Sequence, residues 1–211
     1  AGASDDCTAR IWCAESGCCL WTLSGHGDDV KSATFSPDCE LVVTASCDGT
    51  ARLWAAEGGK EVRSLVGHSD VVKSALFSPN GLLVVTASMD GTARVWDSRR
   101  GECLQVLRGH AKAVNSAAFS PVEGRVLTAS FDSTVRLWQP ETGECLLTLQ
   151  ATRVVNTASF SPDGSIVLIA DGSECVRLWN AETGECALTL AGHDDWVRAA
   201  AFSPDGSPGK K

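Results

Sequence analysis

The residues best equipped for chemistry in this chain are a histidine, a hydroxyl and a carboxylate that keep one spacing. His26, Thr44 and Asp48 recur as His68, Thr86 and Asp90, and again as His110, Thr128 and Asp132. Such a set is the raw material of nucleophilic catalysis, where a carboxylate orients an imidazole and the imidazole takes the hydroxyl proton. The repetition argues against that reading, because a catalytic constellation is built once, around one reacting atom. No unique nucleophile–base pair, Gly-rich phosphate loop or paired-cysteine metal spacing stands elsewhere. The sequence therefore predicts no enzyme, no catalytic residue, no metal and no cofactor. Cys13, Cys18 and Cys19 cluster but lack the C-x-x-C spacing of a zinc site.

The elements that must position these groups repeat with them. Trp12, Trp54, Trp96, Trp138 and Trp179 recur about every 42 residues, and so do Phe35, Phe77, Phe119, Phe160 and Phe202, each followed by Ser-Pro. Gly-His precedes each unit at His26, His68, His110 and His193. One copy is missing, in "LQATRVVN", where the repeat is also one residue short. Each unit holds four strand-like runs. "VKSATF" leads into the turn chemistry of "SPDC". "LVVTAS" is continuously apolar, as a strand covered on both faces would be. "CDGT" and "MDGT" set Asp-Gly between strands, a hairpin signal. "TARLW" alternates apolar and polar residues. No segment carries a sustained helical period.

Four strands per unit, with Gly-His before and tryptophan after, resemble the WD-repeat β-propeller family over essentially the whole chain. The literal Trp-Asp pair occurs only at Trp96-Asp97. The expected fold class is all-β: a β-propeller of four-stranded antiparallel blades with five WD-type repeats, one blade being split between the termini and incomplete. Residues 1–211 read as one such domain. A lone blade is too thin to bury its own faces, so blades stack and each sheet covers the next.

The resemblance also implies a role for the polar sets. In each blade the histidine bridges to the aspartate, the hydroxyl supports the pair, and the indole N–H of Trp54, Trp96 or Trp138 is satisfied at the end. By the same matching, His193 would meet Asp6 and Trp12 if the ring closes. Gly2 stands where the other repeats have threonine, and the second strand of that split blade would come from residues 1–4 or from "PGKK". The repeat ending at Trp179 keeps only the tryptophan. Ile169 and Ser173 occupy the other two positions, Asp171 comes two residues early, and this blade is expected to be the least rigid of the complete ones. Three arrangements stay open: a closed five-bladed ring, an arc completed by oligomerisation, and an excerpt of a longer propeller.

A formal net charge of −8 argues against nucleic acid as partner, because phosphate binding needs a positive field. No apolar run reaches the length of a membrane span, and no signal peptide is evident. Cys19, Cys103, Cys145 and Cys186 fall at equivalent positions in successive repeats, too far apart to bridge. That placement fits a reducing compartment, cytoplasmic or nuclear.

The resemblance implies a protein or peptide partner, bound on the propeller face that carries the loops after Gly-His and before the hairpin aspartate. Matching positions there are Asp29, Lys31, Val71, Lys73, Asn115, Asn156, Trp196 and Arg198, with Met89 and Phe131 from the hairpins. Large apolar groups at turns, beside Lys31, Lys73 and Arg198, suit a short acidic or phosphorylated segment. The expected function is a non-enzymatic interaction scaffold. The alternative is a self-assembly unit whose open terminal strands complete a larger ring or homo-oligomer.

Overall fold

In the computed structural model, residues 1–122 and 124–203 are described. They form an all-β chain of five antiparallel sheets. The first sheet has three strands, β1 (Gly2–Ala3), β2 (Thr8–Trp12) and β3 (Cys19–Ser24). The second runs β4 (Val30–Phe35), β5 (Leu41–Ser46), β6 (Thr50–Ala55) and β7 (Glu61–Val66). The third runs β8 (Val72–Phe77), β9 (Leu83–Ser88), β10 (Ala93–Asp97) and β11 (Cys103–Leu107). The fourth runs β12 (Val114–Phe119), β13 (Val126–Ser130), β14 (Thr134–Trp138) and β15 (Cys145–Gln150). The fifth runs β16 (Thr157–Phe160), β17 (Ile166–Ala170), β18 (Cys175–Asn180) and β19 (Cys186–Ala191).

Every sheet is a meander in chain order, the arrangement short turns enforce. Gly49 and Gly91 close the central hairpins with φ of 81°, a left-handed conformation that glycine adopts without steric cost. The strand that reads as a continuous apolar run is buried on both faces: Val42, Val43, Thr44, Ala45 and Ser46 have no exposed surface.

The core lies between sheets. Ala9, Ile11 and Leu23 of the first sheet pack on Val30, Val42 and Trp54 of the second. Val43, Ala45, Leu53 and Leu65 pack on Val72, Val84 and Trp96, and the same joint recurs around Trp138. Each indole is thus sealed by the sheet before it. Burying 150–250 Å² of indole at about 25 cal/mol/Å² contributes roughly 4–6 kcal/mol before entropy is counted. Among the described residues no sheet packs over Trp12, which is 49% exposed, whereas Trp54, Trp96 and Trp138 are 1% exposed.

The row of sheets is not closed on itself among the described residues. β1 pairs only with β2, and Val197, Ala200 and Phe202 pack against the fifth sheet rather than beside β1. The "PGKK" alternative for a second strand lies outside the described residues.

Candidate functional site

Three sheets carry the same polar chain. The loop before each first strand brings a histidine back over the hairpin between second and third strands. His26 Nδ1 meets Asp48 Oδ2 at 2.8 Å, His26 Nε2 meets Thr44 Oγ1 at 2.7 Å, and Trp54 Nε1 donates to Thr44 Oγ1 at 2.8 Å. The third sheet repeats this with His68–Asp90 at 2.7 Å, His68–Thr86 at 2.7 Å and Trp96–Thr86 at 2.9 Å. In the fourth, the corresponding distances for His110, Asp132, Thr128 and Trp138 are 2.9, 2.7 and 2.8 Å. The glycine of Gly-His lies close against the arginine and tryptophan of the same sheet. A Cβ on Gly67 would sit 2.6 Å from Arg94 Nη1 and 3.3 Å from the Trp96 ring, and Gly109 meets the equivalent Arg136 and Trp138 atoms.

The electrostatics fix proton positions along this chain. Burial holds His26, His68 and His110 below the usual histidine range, opposed only in part by the aspartates. Burial alone would raise the aspartates. Donors outweigh it: Thr50, the Gly27 N–H and His26 hold Asp48 well below the carboxylate range, and Asp90 is lowered to about 2. The arrangement is therefore a carboxylate, a neutral imidazole protonated at Nδ1, a threonine hydroxyl donating to Nε2, and an indole donating to the hydroxyl. The hydroxyl proton is already directed at the imidazole and its oxygen is capped by the indole. The threonines are fully buried, so no substrate can reach them.

The fifth sheet is built differently. Asp171 is fully buried, and its Oδ2 accepts from Thr152 N at 2.8 Å, Thr152 Oγ1 at 2.7 Å and Arg177 Nη1 at 2.9 Å. Its Oδ1 accepts from Ser173 Oγ at 2.5 Å. Burial again opposes these donors and loses, leaving the carboxyl below its ordinary range. In the third and fourth sheets the matching arginines, Arg94 and Arg136, lie 5.9 Å over the Trp96 and Trp138 rings. Arg177 has turned to the carboxylate instead. The indole nitrogen of Trp179 is buried without a partner, because Ile169 stands where threonine would accept from it. The sheet thus has its own anchored network, in which Thr152 and Arg177, at the places of the repeated histidine and arginine, turn to Asp171.

His193 is not brought to Asp6. The Asp6 carboxylate accepts instead from Thr8 Oγ1 at 2.5 Å and Arg10 Nη2 at 3.1 Å, and His193 is exposed.

The expected partner face lies at the Gly-His end of the sheets. Trp196 is 62% exposed and Met89 41%, while Phe131 is half-buried. Lys31 is held by Asp29 at 2.8 Å and Asp5 at 3.0 Å, so its charge is already neutralised. Asp29 serves as its partner, and Val71 and Lys73 are half-buried. Asn115 Nδ2 donates to the Asn156 carbonyl at 2.7 Å, and Arg198 is exposed.

Asn156 and Trp196 meet in one cleft of about 450 Å³, lined also by Ser133, Arg153, Val154, Asp171 and Gly172. The Arg153 guanidinium lies 5.9 Å over the Trp196 ring. The position match did not single out Arg153. Its signal lies in the altered loop: Thr152 takes the place of the histidine and bonds Asp171, and Arg153 follows it, over the Trp196 ring.

Stacked antiparallel meanders, four of them four-stranded and each of those four tying its hairpin to the preceding loop by histidine or its substitute, define a protein built of β-propeller blades. The family described as WD domain, G-beta repeat matches at residues 17–55, 59–97, 101–139, 143–180 and 184–207, and the chain belongs to it. No curated protein matched the chain. Repeats of this family generally mediate protein–protein interaction or scaffolding, and proteins built from them are generally non-enzymatic.

Proposed function

We propose that this chain is a non-enzymatic interaction scaffold whose partner segment docks at the Gly-His end, in the cleft beside the fifth sheet. One observation carries the reading: an exposed indole, Trp196, with the guanidinium of Arg153 stacked over it at the mouth of an open cleft. The stack immobilises the cation and leaves its donor edge for a carboxylate or phosphate, which guanidinium binds in bidentate fashion. Trp196 and Val154 supply apolar contact, and the Asn156 side chain offers an amide. The partner is therefore a peptide segment with an acidic or phosphorylated residue next to an apolar one. The exposed face of Trp12 supports a second reading, in which another copy of the chain covers it as a homo-oligomer. The cysteines are all free, which fits a cytoplasmic or nuclear setting.

The test is an array of acidic and phosphorylated peptides probed with the parent chain, Trp196→Ala and Arg153→Ala. Trp196→Ala is expected to abolish capture while changing stability by no more than about 0.5 kcal/mol, as a surface substitution should. Arg153→Ala is expected to weaken capture of charged peptides and flatten its salt dependence. Equal capture by all three chains overturns the cleft reading. Light scattering over a concentration series tests self-association, which a concentration-independent monomer excludes.

A further inference from the structure

The turn between β2 and β3 carries a pair of cysteines with unusual surroundings. Trp12 is opposed to Cys19 in the antiparallel register, so Cys13 and Cys18 form the next opposed pair. The Cys13 N–H donates to the Cys18 carbonyl at 2.9 Å, closing the turn. Directly opposed residues in an antiparallel pair have Cα atoms about 4.5–5.5 Å apart, within the 4.4–6.8 Å that a disulfide spans.

The same turn occurs in every other sheet, where the opposed pairs are Ala55–Lys60, Asp97–Glu102, Gln139–Glu144 and Asn180–Glu185. Its first position is an anion cradle. Asp97 Oδ1 accepts the N–H groups of Arg99 at 2.8 Å and Arg100 at 2.7 Å, and Asn180 Oδ1 accepts those of Glu182 and Thr183, both at 2.9 Å. In the first sheet a sulfur occupies that position. Hydrogen bonding to Ser16 and to the N–H groups of Ser16 and Glu15 holds the Cys13 thiol below its ordinary range. The Cys18 thiol reaches the Ser16 carbonyl at 3.9 Å. Cys18 is exposed and Cys13 half-exposed, and both are free.

The geometry points to Cys13 as a site of oxidative modification, with Cys18 as its resolving partner. The Cys13 thiolate attacks one oxygen of a peroxide; the O–O bond breaks, hydroxide leaves and takes up the proton the thiol had released to become water, and Cys13 becomes a sulfenic acid. The Cys18 sulfur then attacks the sulfenic sulfur, the S–O bond breaks, a second water leaves, and the Cys13–Cys18 disulfide forms. The two thiols supply the two electrons that reduce the peroxide. The backbone cradle makes Cys13 the nucleophile, since the thiolate is the reactive form. The turn lies at the end of the sheets opposite the Trp196 cleft, so the modification is separable from the docking proposed there.

The test treats the reduced full-length chain with dilute hydrogen peroxide, blocks remaining thiols, and digests it without reductant using a glutamate-specific protease. Cleavage after Glu15 puts Cys7 and Cys13 on one peptide and Cys18, Cys19 and Cys39 on the other, and fragmentation of the joined pair in the mass spectrometer locates the bridge. The joined pair is expected as the main oxidation product, and Cys13 is expected to alkylate several-fold faster than the exposed Cys103. Cys18→Ser should leave a Cys13 sulfenic acid that dimedone captures, and Cys13→Ser should lose the bridge and leave Cys18 reduced. Circular dichroism of both variants shows whether each retains its fold. Equal alkylation of Cys13 and Cys103, a Cys18–Cys19 or interchain product in place of the bridge, or Cys18 oxidation persisting in Cys13→Ser each overturns the assignment.

Discussion

The fourth and fifth sheets share strand order, register and hairpin length, yet they tie hairpin to loop by different chemistry. In the fourth, a neutral imidazole spans from Asp132 to Thr128 and the Trp138 indole completes the chain. In the fifth, Thr152 stands at the position of the histidine, and the loop after it is one residue shorter. A carboxylate two positions earlier takes Thr152 from the loop and Arg177 from the neighbouring strand. The first solution is uncharged apart from its aspartate and seals the indole. The second is an ion pair that leaves Trp179 Nε1 unsatisfied. Blade architecture therefore demands a polar link at this place without specifying which one. The substitute has a further consequence: Arg153 is turned outward, where it meets Trp196.

This contrast can be broken most severely at Asp171. Asp171→Ala leaves Arg177 and Thr152 without their acceptor and is expected to cost about 3–5 kcal/mol, the range for removing one partner of a buried pair. Asp90→Ala removes a partner from a neutral imidazole, so a smaller loss of about 1–3 kcal/mol is expected. Urea denaturation of the two variants beside the parent checks the order. Equal losses would remove the distinction between the two links.

Acidification should separate the sheets next. His26, His68 and His110 have folded pKa values below the 6.5 of the free side chain, so the unfolded chain binds more protons between those values. Stability must then fall as pH drops below about 6.5, by something on the order of 1 kcal/mol per pH unit for each of the three histidines. The lowered aspartates add a further loss only as pH passes below their unfolded pKa of about 3.9. The fifth sheet has no such histidine. Amide exchange, corrected for intrinsic rates, should show protection declining in the second to fourth sheets between pH 6.5 and 4.5 while the fifth sheet holds. A uniform decline would contradict this.

The smallest change is a repair. Ile169→Thr restores the acceptor that Trp179 lacks. A new hydrogen bond of about 1 kcal/mol only partly offsets the loss of the terminal methyl and of a methylene exchanged for the hydroxyl, about 1.6 kcal/mol together, so the melting temperature should fall slightly below the parent's. A large drop would show that the Trp179 indole already has another means of satisfaction.

Much of this was legible before any coordinates. The Trp, Phe-Ser-Pro and Gly-His periods marked the sheets and their order, and the repeated His, Thr, Asp and Trp positions are the ones the structure brings together in the second to fourth sheets. The fifth sheet was legible as a departure, with Asp171 two residues early and able to substitute only after a local shift. The pattern did not show that Thr152, at the place of the histidine, and Arg177, at the place of Arg94 and Arg136, both turn to that carboxylate. The partner face was legible by position but not by state. Lys31 reads as a cation and is in fact tied to Asp5 and Asp29. Arg153 went unmarked although it supplies the charge at the cleft.

The sequence alone determined the sheet count, strand order and the buried tryptophans, because a period sustained across the chain forces the same local turns and the same apolar faces in every unit. Tertiary packing decided which polar groups meet across loops of unequal length, which cations are already paired, and that Val197 and Phe202 lie on the fifth sheet while Asp6 and His193 stay apart. Those outcomes depend on distances of a few ångströms between segments far apart in the chain, and a linear spacing carries no such distances.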